Sequence, residues 1–306
     1  MRILTHVPAA ADELLRRLLP ADEIVPVPDD GPVGDSARGS VLLTTRFPWP
    51  NLAATIERDV AWVHVFGTGI DGFPLELVGE RVLTCSRGAS AVPIAEWCVA
   101  MMLAFEKRLP DTWIAAPPLR MYDESLGGLA GRIVGIVGVG SIGTALAARL
   151  APFDTHVLGM RRTDRPCHGI EMVDQLGDLL ARSDHVVLAV PATARTRAML
   201  DAAALATMRR GAHVVNVARG SLIDDDALRG ALDDGTVAMA SLDVTEPEPL
   251  PAGHWMYAHP RVRLSPHCSS SSQHGMRALA QLFAENVERR RHGGELRGVI
   301  DRQEGY

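Results

Sequence analysis

Lysine is almost missing from this 306-residue chain: Lys107 is the only one, and every other basic residue is arginine. A Walker phosphate loop needs a Gly-Lys pair, so that class of nucleotide site is excluded. A Tyr-x-x-x-Lys catalytic pair is excluded too, because Leu126 and Arg261 stand four residues after Tyr122 and Tyr257. Cysteine is scarce. Cys85, Cys98, Cys167 and Cys268 contain no C-x-x-C, so neither a disulfide framework nor a thiolate metal cluster is indicated, and no metal site is expected. No apolar run reaches the ~18 to 20 residues of a membrane span; the best, Val92 to Phe105, is interrupted by Glu96. The opening Met1-Arg2-Ile3-Leu4 lacks the apolar region of a secretory signal and reaches Asp12 and Glu13 quickly. With 37 acidic against 31 basic residues and no long basic run, a dedicated nucleic-acid binder is not expected. These absences predict a cytoplasmic protein without membrane or nucleic-acid partners, whose chemistry uses histidine, arginine and carboxylates.

The length is about twice that of a typical ~150-residue domain, so two domains are expected. Apolar residues at 47% and charged residues at 22% exclude a largely disordered chain. In the first ~90 residues, Ile3-Leu4, Val41 to Leu43 and Trp62 to Phe66 read as buried strands separated by helix-forming segments. Pro93 opens a long apolar helix to about Lys107, and a looser arm follows through Pro110, Pro117, Pro118 and Gly127-Gly128. From Arg132 strands and helices alternate: strands at Ile133 to Val137, His156 to Leu158, His185 to Val190, His213 to Val217 and Val237 to Ala240. Helices are expected at Ile142 to Leu150, Leu205 to Arg209 and Asp225 to Leu232. That rhythm predicts a doubly wound parallel sheet. An amphipathic tail helix, about Gly275 to Arg291, has no strand after it and is expected to pack back on an earlier domain.

Gly138-Val139-Gly140-Ser141-Ile142-Gly143 is G-x-G-x-x-G between a strand and a helix. In that context the first glycine makes the tight turn and the second admits a pyrophosphate. The third permits close packing, and the helix N-terminus stabilises the negative charge. An NAD enzyme carries a carboxylate ~20 residues later, at the end of the second strand. This chain runs instead into Arg161-Arg162-Thr163. Two guanidiniums suit a 2′-phosphate, which predicts a preference for NADP(H) over NAD(H). The competing reading makes both arginines a solvated pair and assigns an NAD ribose to Asp164.

Polar residues end three further strands: Asn216 to Ser221, Asp243 to Leu250, and Ser265-Pro266-His267. With these the chain resembles the D-isomer-specific 2-hydroxyacid dehydrogenases. The resemblance covers most of the chain: Trp62 to Asp71, the glycine turn, Val190-Pro191 with Thr193 and Thr196, and Asn216 to Gly220. It continues through Leu242 to Pro251, Ser265 to His267, and Val299 to Tyr306. Within the family, Asp243-Val244-Thr245 with Pro247-Glu248-Pro249 looks most like glyoxylate/hydroxypyruvate reductases.

The resemblance implies a flavodoxin-like substrate domain, 1–95 with 270–306, and a Rossmann dinucleotide domain, 96–269, with catalysis in the cleft between them. It also implies a homodimer through the Pro93 helix and the arm. It places the active site at Arg219, Glu248 and His267. Arg219 would grip the carboxylate of a small 2-oxoacid and polarise its ketone. His267 would protonate the carbonyl oxygen as hydride arrives, and Glu248 would orient the imidazole and favour its acid form. Family spacing selects Glu248 over Glu246. Thr68 and Gly69, in Phe66 to Asp71, would offer backbone N–H groups to the substrate. Pro191, Thr193, Thr196 and Ala218 join the glycine turn in holding the cofactor, and Asp243 would contact the nicotinamide amide or shape its turn. Trp49 would wall the pocket or pack in the core. A Cys268–His267 nucleophile pair is disfavoured, since neighbours on an extended chain point opposite ways.

Cys268 and four serines after His267 depart from the family's apolar residue followed by a small one, which makes the pocket floor more polar. The alternatives are a silent dinucleotide-sensing protein or corepressor on the same scaffold, or a dehydrogenase acting on phosphite.

Overall fold

The computed structural model describes residues 1–28, 30–47, 49–117, 120–121, 124–162 and 166–301. The chain divides into two compact units, Met1–Ser90 with Ser271–Tyr306, and Ala91–Ser270.

The first unit runs β1 (Arg2–His6), α1 (Ala9–Leu18), β2 (Glu23–Pro26), β3 (Val41–Thr44), α2 (Leu52–Ile56), β4 (Trp62–Val65), α3 (Leu75–Val78) and β5 (Val82–Cys85), with no helix between β2 and β3 among the described residues. All are parallel, in the order β2-β1-β3-β4-β5, the flavodoxin-like winding. Ile3, Leu4, Val41 to Leu43, Trp62, Val63 and Val65 are all buried, because helices cover both faces of such a sheet and its central strands need no polar side. Trp49 packs against this core, with its ring 5.9 Å from that of His6.

The second unit comprises α4 (Ala91–Glu106), β6 (Ile133–Val137), α5 (Ser141–Leu150), β7 (His156–Met160), β8 (Glu171–Met172), α6 (Leu176–Arg182), β9 (His185–Leu188), α7 (Ala202–Ala206), β10 (Ala212–Asn216), α8 (Asp225–Asp233), β11 (Val237–Leu242) and β12 (Val262–Leu264). Its strands are again all parallel, in the order β12-β11-β10-β9-β6-β7-β8. Helix α4, which a boundary near residue 95 would cut, belongs whole to this unit. Pro93 sits in its first turn, where no intrahelical N–H is needed. Its Ile94, Ala95, Cys98 and Met102 bury against Val134, Ile136 and Leu146.

α7 begins three residues before the predicted Leu205. The Asp201 carboxylate accepts the Ala204 N–H at 2.8 Å and fixes the helix start there.

The tail helix α9 (Gln273–Arg291) is capped by Ser272, whose hydroxyl accepts the Gly275 N–H at 2.8 Å. It returns to the first unit, where Ala280, Phe283 and Val287 join Leu15, Leu19 and Trp62 in one core. Among the described residues no helix is long and apolar enough to cross a membrane.

Candidate active site

The chain leaves β6 and turns at Gly138, whose φ of 106° suits glycine. A Cβ there would stand 2.6 Å from the Ala189 carbonyl. A Cβ on Gly143 would stand 2.7 Å from the Gly138 oxygen, so this glycine lets α5 lie close to the strand it follows. Gly140, which caps α5, differs: nothing lies within 4 Å of where its Cβ would be. Open space beside the first N–H groups of a ten-residue helix, Ser141 to Gly143 among them, fits a pyrophosphate. Gly138 and Val139 both donate their N–H groups to the Met160 carbonyl, at 2.9 and 3.1 Å. The end of β7 therefore adjoins the glycine turn, and Arg161-Arg162 follow directly. Asp164, the rival ribose ligand, lies outside the described residues.

After β9 the segment from Pro191 closes on itself. Thr196 Oγ1 accepts the Thr193 N–H at 2.8 Å and donates to the Pro191 carbonyl at 2.8 Å. After β10, Asn216 staples the next turn: its Oδ1 accepts the Ala218 N–H at 3.0 Å and its Nδ2 donates to the Arg219 carbonyl at 2.8 Å. The Arg219 guanidinium folds back to the Ala218 carbonyl at 2.5 Å. Gly220 then packs on the backbone of Thr245 and Glu246, where a Cβ would overlap the Thr245 carbonyl. This contact sets the Arg219 turn against the loop after β11.

That loop carries the acid. Glu248 Oε1 accepts the Thr245 N–H at 3.1 Å, and Oε2 lies 2.9 Å from His267 Nδ1. A carboxylate can only accept, so Nδ1 carries the proton of this bond. Each side chain of the pair is about one-third exposed, His267 at 33% and Glu248 at 32%. Among the described residues Nε2 of His267 has no hydrogen-bond partner. Glu246 faces elsewhere: Arg197 holds both its oxygens, at 3.2 and 2.8 Å.

His267 adopts φ 51°, left-handed rather than extended. The expectation that Cys268 must point away from it, argued for an extended chain, therefore does not apply at this residue. Asp243 is buried and its carboxylate is taken up by the same turn: Oδ1 accepts from Ser265 Oγ at 2.5 Å and from the Cys268 N–H at 2.8 Å, and Oδ2 from the Ser269 N–H at 2.9 Å. Ser265 as a partner of Asp243, and Arg197 as the holder of Glu246, have no motif signal in the sequence; both depend on chain segments meeting in space.

Thr68 and Gly69 lie in the first unit at the C-terminal end of β4. Ser86 donates its N–H to the Gly67 carbonyl at 2.8 Å, which ties this loop to the residue after β5. Among the described residues neither Thr68 nor Gly69 spends its N–H on an acceptor.

The arrangement can deliver a proton from an imidazole aligned by a carboxylate, on a loop that packs against the Arg219 turn at Gly220. Residues 99–269 match the family model of the D-isomer specific 2-hydroxyacid dehydrogenase, NAD binding domain. A glyoxylate reductase of Thermofilum pendens is 32% identical over 238 residues, covering 74% of this chain and 70% of the relative. A D-3-phosphoglycerate dehydrogenase of Methanocaldococcus jannaschii is 29% identical over 243 residues, 77% of this chain, which spans only 46% of that longer relative. The crystal structure of an NADPH-dependent glyoxylate/hydroxypyruvate reductase from Sinorhizobium meliloti, in complex with NADP and sulfate, superposes with a TM-score of 0.85. It is 25% identical and covers 100% of this chain and 99% of its own. The chain belongs to the D-isomer specific 2-hydroxyacid dehydrogenases and is accordingly an NAD(P)-dependent oxidoreductase.

Proposed function

We propose that the protein reduces a small 2-oxoacid of the glyoxylate or hydroxypyruvate type to its D-2-hydroxyacid, with NADPH preferred over NADH. The observation that carries this reading is the 2.9 Å bond between Glu248 and His267 Nδ1, which leaves Nε2 of a one-third exposed imidazole available. A bound reduced nicotinamide supplies the hydride. His267 Nε2–H donates its proton to the carbonyl oxygen as negative charge builds there, and Glu248 stabilises the imidazolium before that transfer. Arg219 binds the substrate carboxylate through paired N–H groups and draws electron density from the adjacent ketone. In the first unit, the unspent N–H groups of Thr68 and Gly69 suit a carboxylate oxygen.

Gly138, Gly140 and Gly143 with the start of α5 hold the pyrophosphate, and the segment of Pro191, Thr193, Thr196 and Ala218 flanks the cofactor. Arg161 and Arg162 bind the 2′-phosphate; their adjacency to the Met160 carbonyl that receives the glycine turn supports this. A homodimer is supported by large apolar side chains left exposed in the arm after α4, with Trp113 at 73% and Ile114 at 67%. Sedimentation equilibrium reads that state.

The test follows absorbance of NADPH and of NADH with a panel of 2-oxoacids and, in reverse, D- and L-2-hydroxyacids and phosphite. Turnover of glyoxylate or hydroxypyruvate with NADPH is the expected result. Cofactor binding without turnover of any substrate points to a silent sensor, and turnover of phosphite alone to the phosphite reading.

A further inference from the structure

We infer that Asp243 and Ser265 form a positioning pair that winds residues 265–269 into the one conformation aiming His267 at Glu248. The inference rests on the proposed role of His267 and adds two residues that never touch the reacting atoms.

The ends of β11 and β12 are register neighbours, with Leu242 opposite Leu264. Asp243 and Ser265 are the next residues on each, so their side chains meet where the strands stop. Asp243 is fixed from below, since its N–H donates to the Asn216 carbonyl at 3.0 Å. From there it binds the following turn four times. Its carboxylate receives the Ser265 hydroxyl and the N–H groups of Cys268 and Ser269, and its backbone carbonyl receives the His267 N–H at 2.9 Å. The chain before His267 and the chain after it are thus tied to one residue.

Between those ties the backbone has to reverse, and His267 adopts φ 51° to do so. A non-glycine residue is uncommon there, histidine less so than most, and it persists where its surroundings over-determine it. The over-determining group is the Asp243 carboxylate. At 1% exposure its charge has left water, so its donors are obligatory rather than optional. The negative charge is felt nearby: burial first, and then Asp243, push the Cys98 thiol on α4 well above its ordinary range.

Asparagine cannot replace this carboxylate. Whichever way its amide is turned, the NH₂ group meets the N–H of Cys268 or of Ser269, and two donors then face each other. Alanine at 265 removes the hydroxyl that joins the two strand ends, while threonine keeps it.

The experiment compares Asp243→Asn, Ser265→Ala and Ser265→Thr with the parent protein. It measures kcat, KM for the oxoacid, the NADPH dissociation constant, and the NMR signal of the His267 Nδ1–H. A displacement of about 1 Å at a catalytic group costs roughly a hundredfold. Asp243→Asn is therefore expected to lower kcat by about that factor and Ser265→Ala by about tenfold. Ser265→Ala should leave NADPH affinity within about threefold, and both variants should lose or shift the Nδ1–H signal; Ser265→Thr should restore kcat and signal together. Unchanged kcat and signal in Ser265→Ala overturn the inference, whatever becomes of Asp243→Asn. So does an Asp243→Asn protein that loses NADPH affinity while keeping kcat at saturation, which marks a direct cofactor contact instead. The Nδ1–H signal is read without turnover. If His267→Ala proves fully active, the proposed function fails while the winding of the turn is still tested.

Discussion

Glu106 and His185 form a hydrogen bond of 3.1 Å; Glu248 and His267 form one of 2.9 Å. The chemistry of the two pairs is the same, and their surroundings separate them. His185 is fully buried and both its nitrogens are used, Nε2 by Glu106 and Nδ1 by His213 at 3.2 Å. His213 in turn bonds Ser241 Oγ at 2.9 Å and stacks on Phe105 with ring centroids 4.7 Å apart. Arg132 closes the other end by pairing with Glu106 at 2.9 Å. This is a sealed chain across the sheet. His267 spends one nitrogen and keeps the other, at one-third exposure. A Glu–His pair is therefore not by itself a catalytic sign; what separates the two pairs is the nitrogen that His267 leaves unspent.

Removing the two histidine partners should separate their roles. His267→Ala is expected to lower kcat by about 10²- to 10⁴-fold, the usual share of general acid catalysis, with its melting temperature nearly unchanged. Glu106→Gln breaks the buried pair and should cost about 3 kcal/mol in denaturant unfolding while the folded fraction keeps its kcat. Equal loss of activity in both variants would dissolve the contrast.

Acid should act on the sealed side. Burial raises the Glu106 pKa, but hydrogen bonds from His185 and Arg132 outweigh it and hold the carboxyl below its ordinary value. Burial, followed by the charge of His185, keeps His213 well below 6.5. In the first unit, burial lowers His64 to about 3; its two nitrogens bond Thr84 and Ser86. With each histidine pKa depressed by folding, the unfolded chain binds the proton first. Stability should then fall as pH drops below about 6.5, for His64 down to about 3. The Glu106 contribution, present above its unfolded value of 4.5, is lost lower still. Urea midpoints that stay flat between pH 7 and 4 would contradict this.

The smallest effect concerns the cofactor. Replacing Arg161 and Arg162 by alanine should lower the NADPH-to-NADH ratio of kcat/KM by roughly tenfold or more, the worth of a charge-assisted bond to a phosphate. An unchanged ratio would return both arginines to the solvent and the choice of cofactor to other residues.

The pattern of the chain carries the inner strands of both sheets because fully buried strands are written as unbroken apolar runs, such as Val41 to Leu43 or Ile133 to Val137. It misses the edge strands β2, β5 and β8, the last of only two residues, and misplaces α7, whose alanine run Ala202-Ala203-Ala204 shows no apolar period until the Asp201 cap is seen. Arg219, Glu248 and His267 are singled out in the sequence because each lies in a short polar segment after an apolar strand, and because the family resemblance points to those positions. Glu106 and His185 are separated by 79 positions and belong to no motif, so only the folded chain brings them together. Asp243 is legible as a residue of interest, yet its four bonds to one turn are not, since they depend on where β12 stops.

The most direct measurement is a double-mutant cycle on kcat with NADPH and glyoxylate, using Glu248→Gln, His267→Asn and the two combined. If the carboxylate works only through the imidazole, each single change lowers kcat steeply and the double variant is no slower than His267→Asn alone. Losses that simply multiply in the double variant, or a His267→Asn protein with unaltered kcat, would contradict the proposed chemistry.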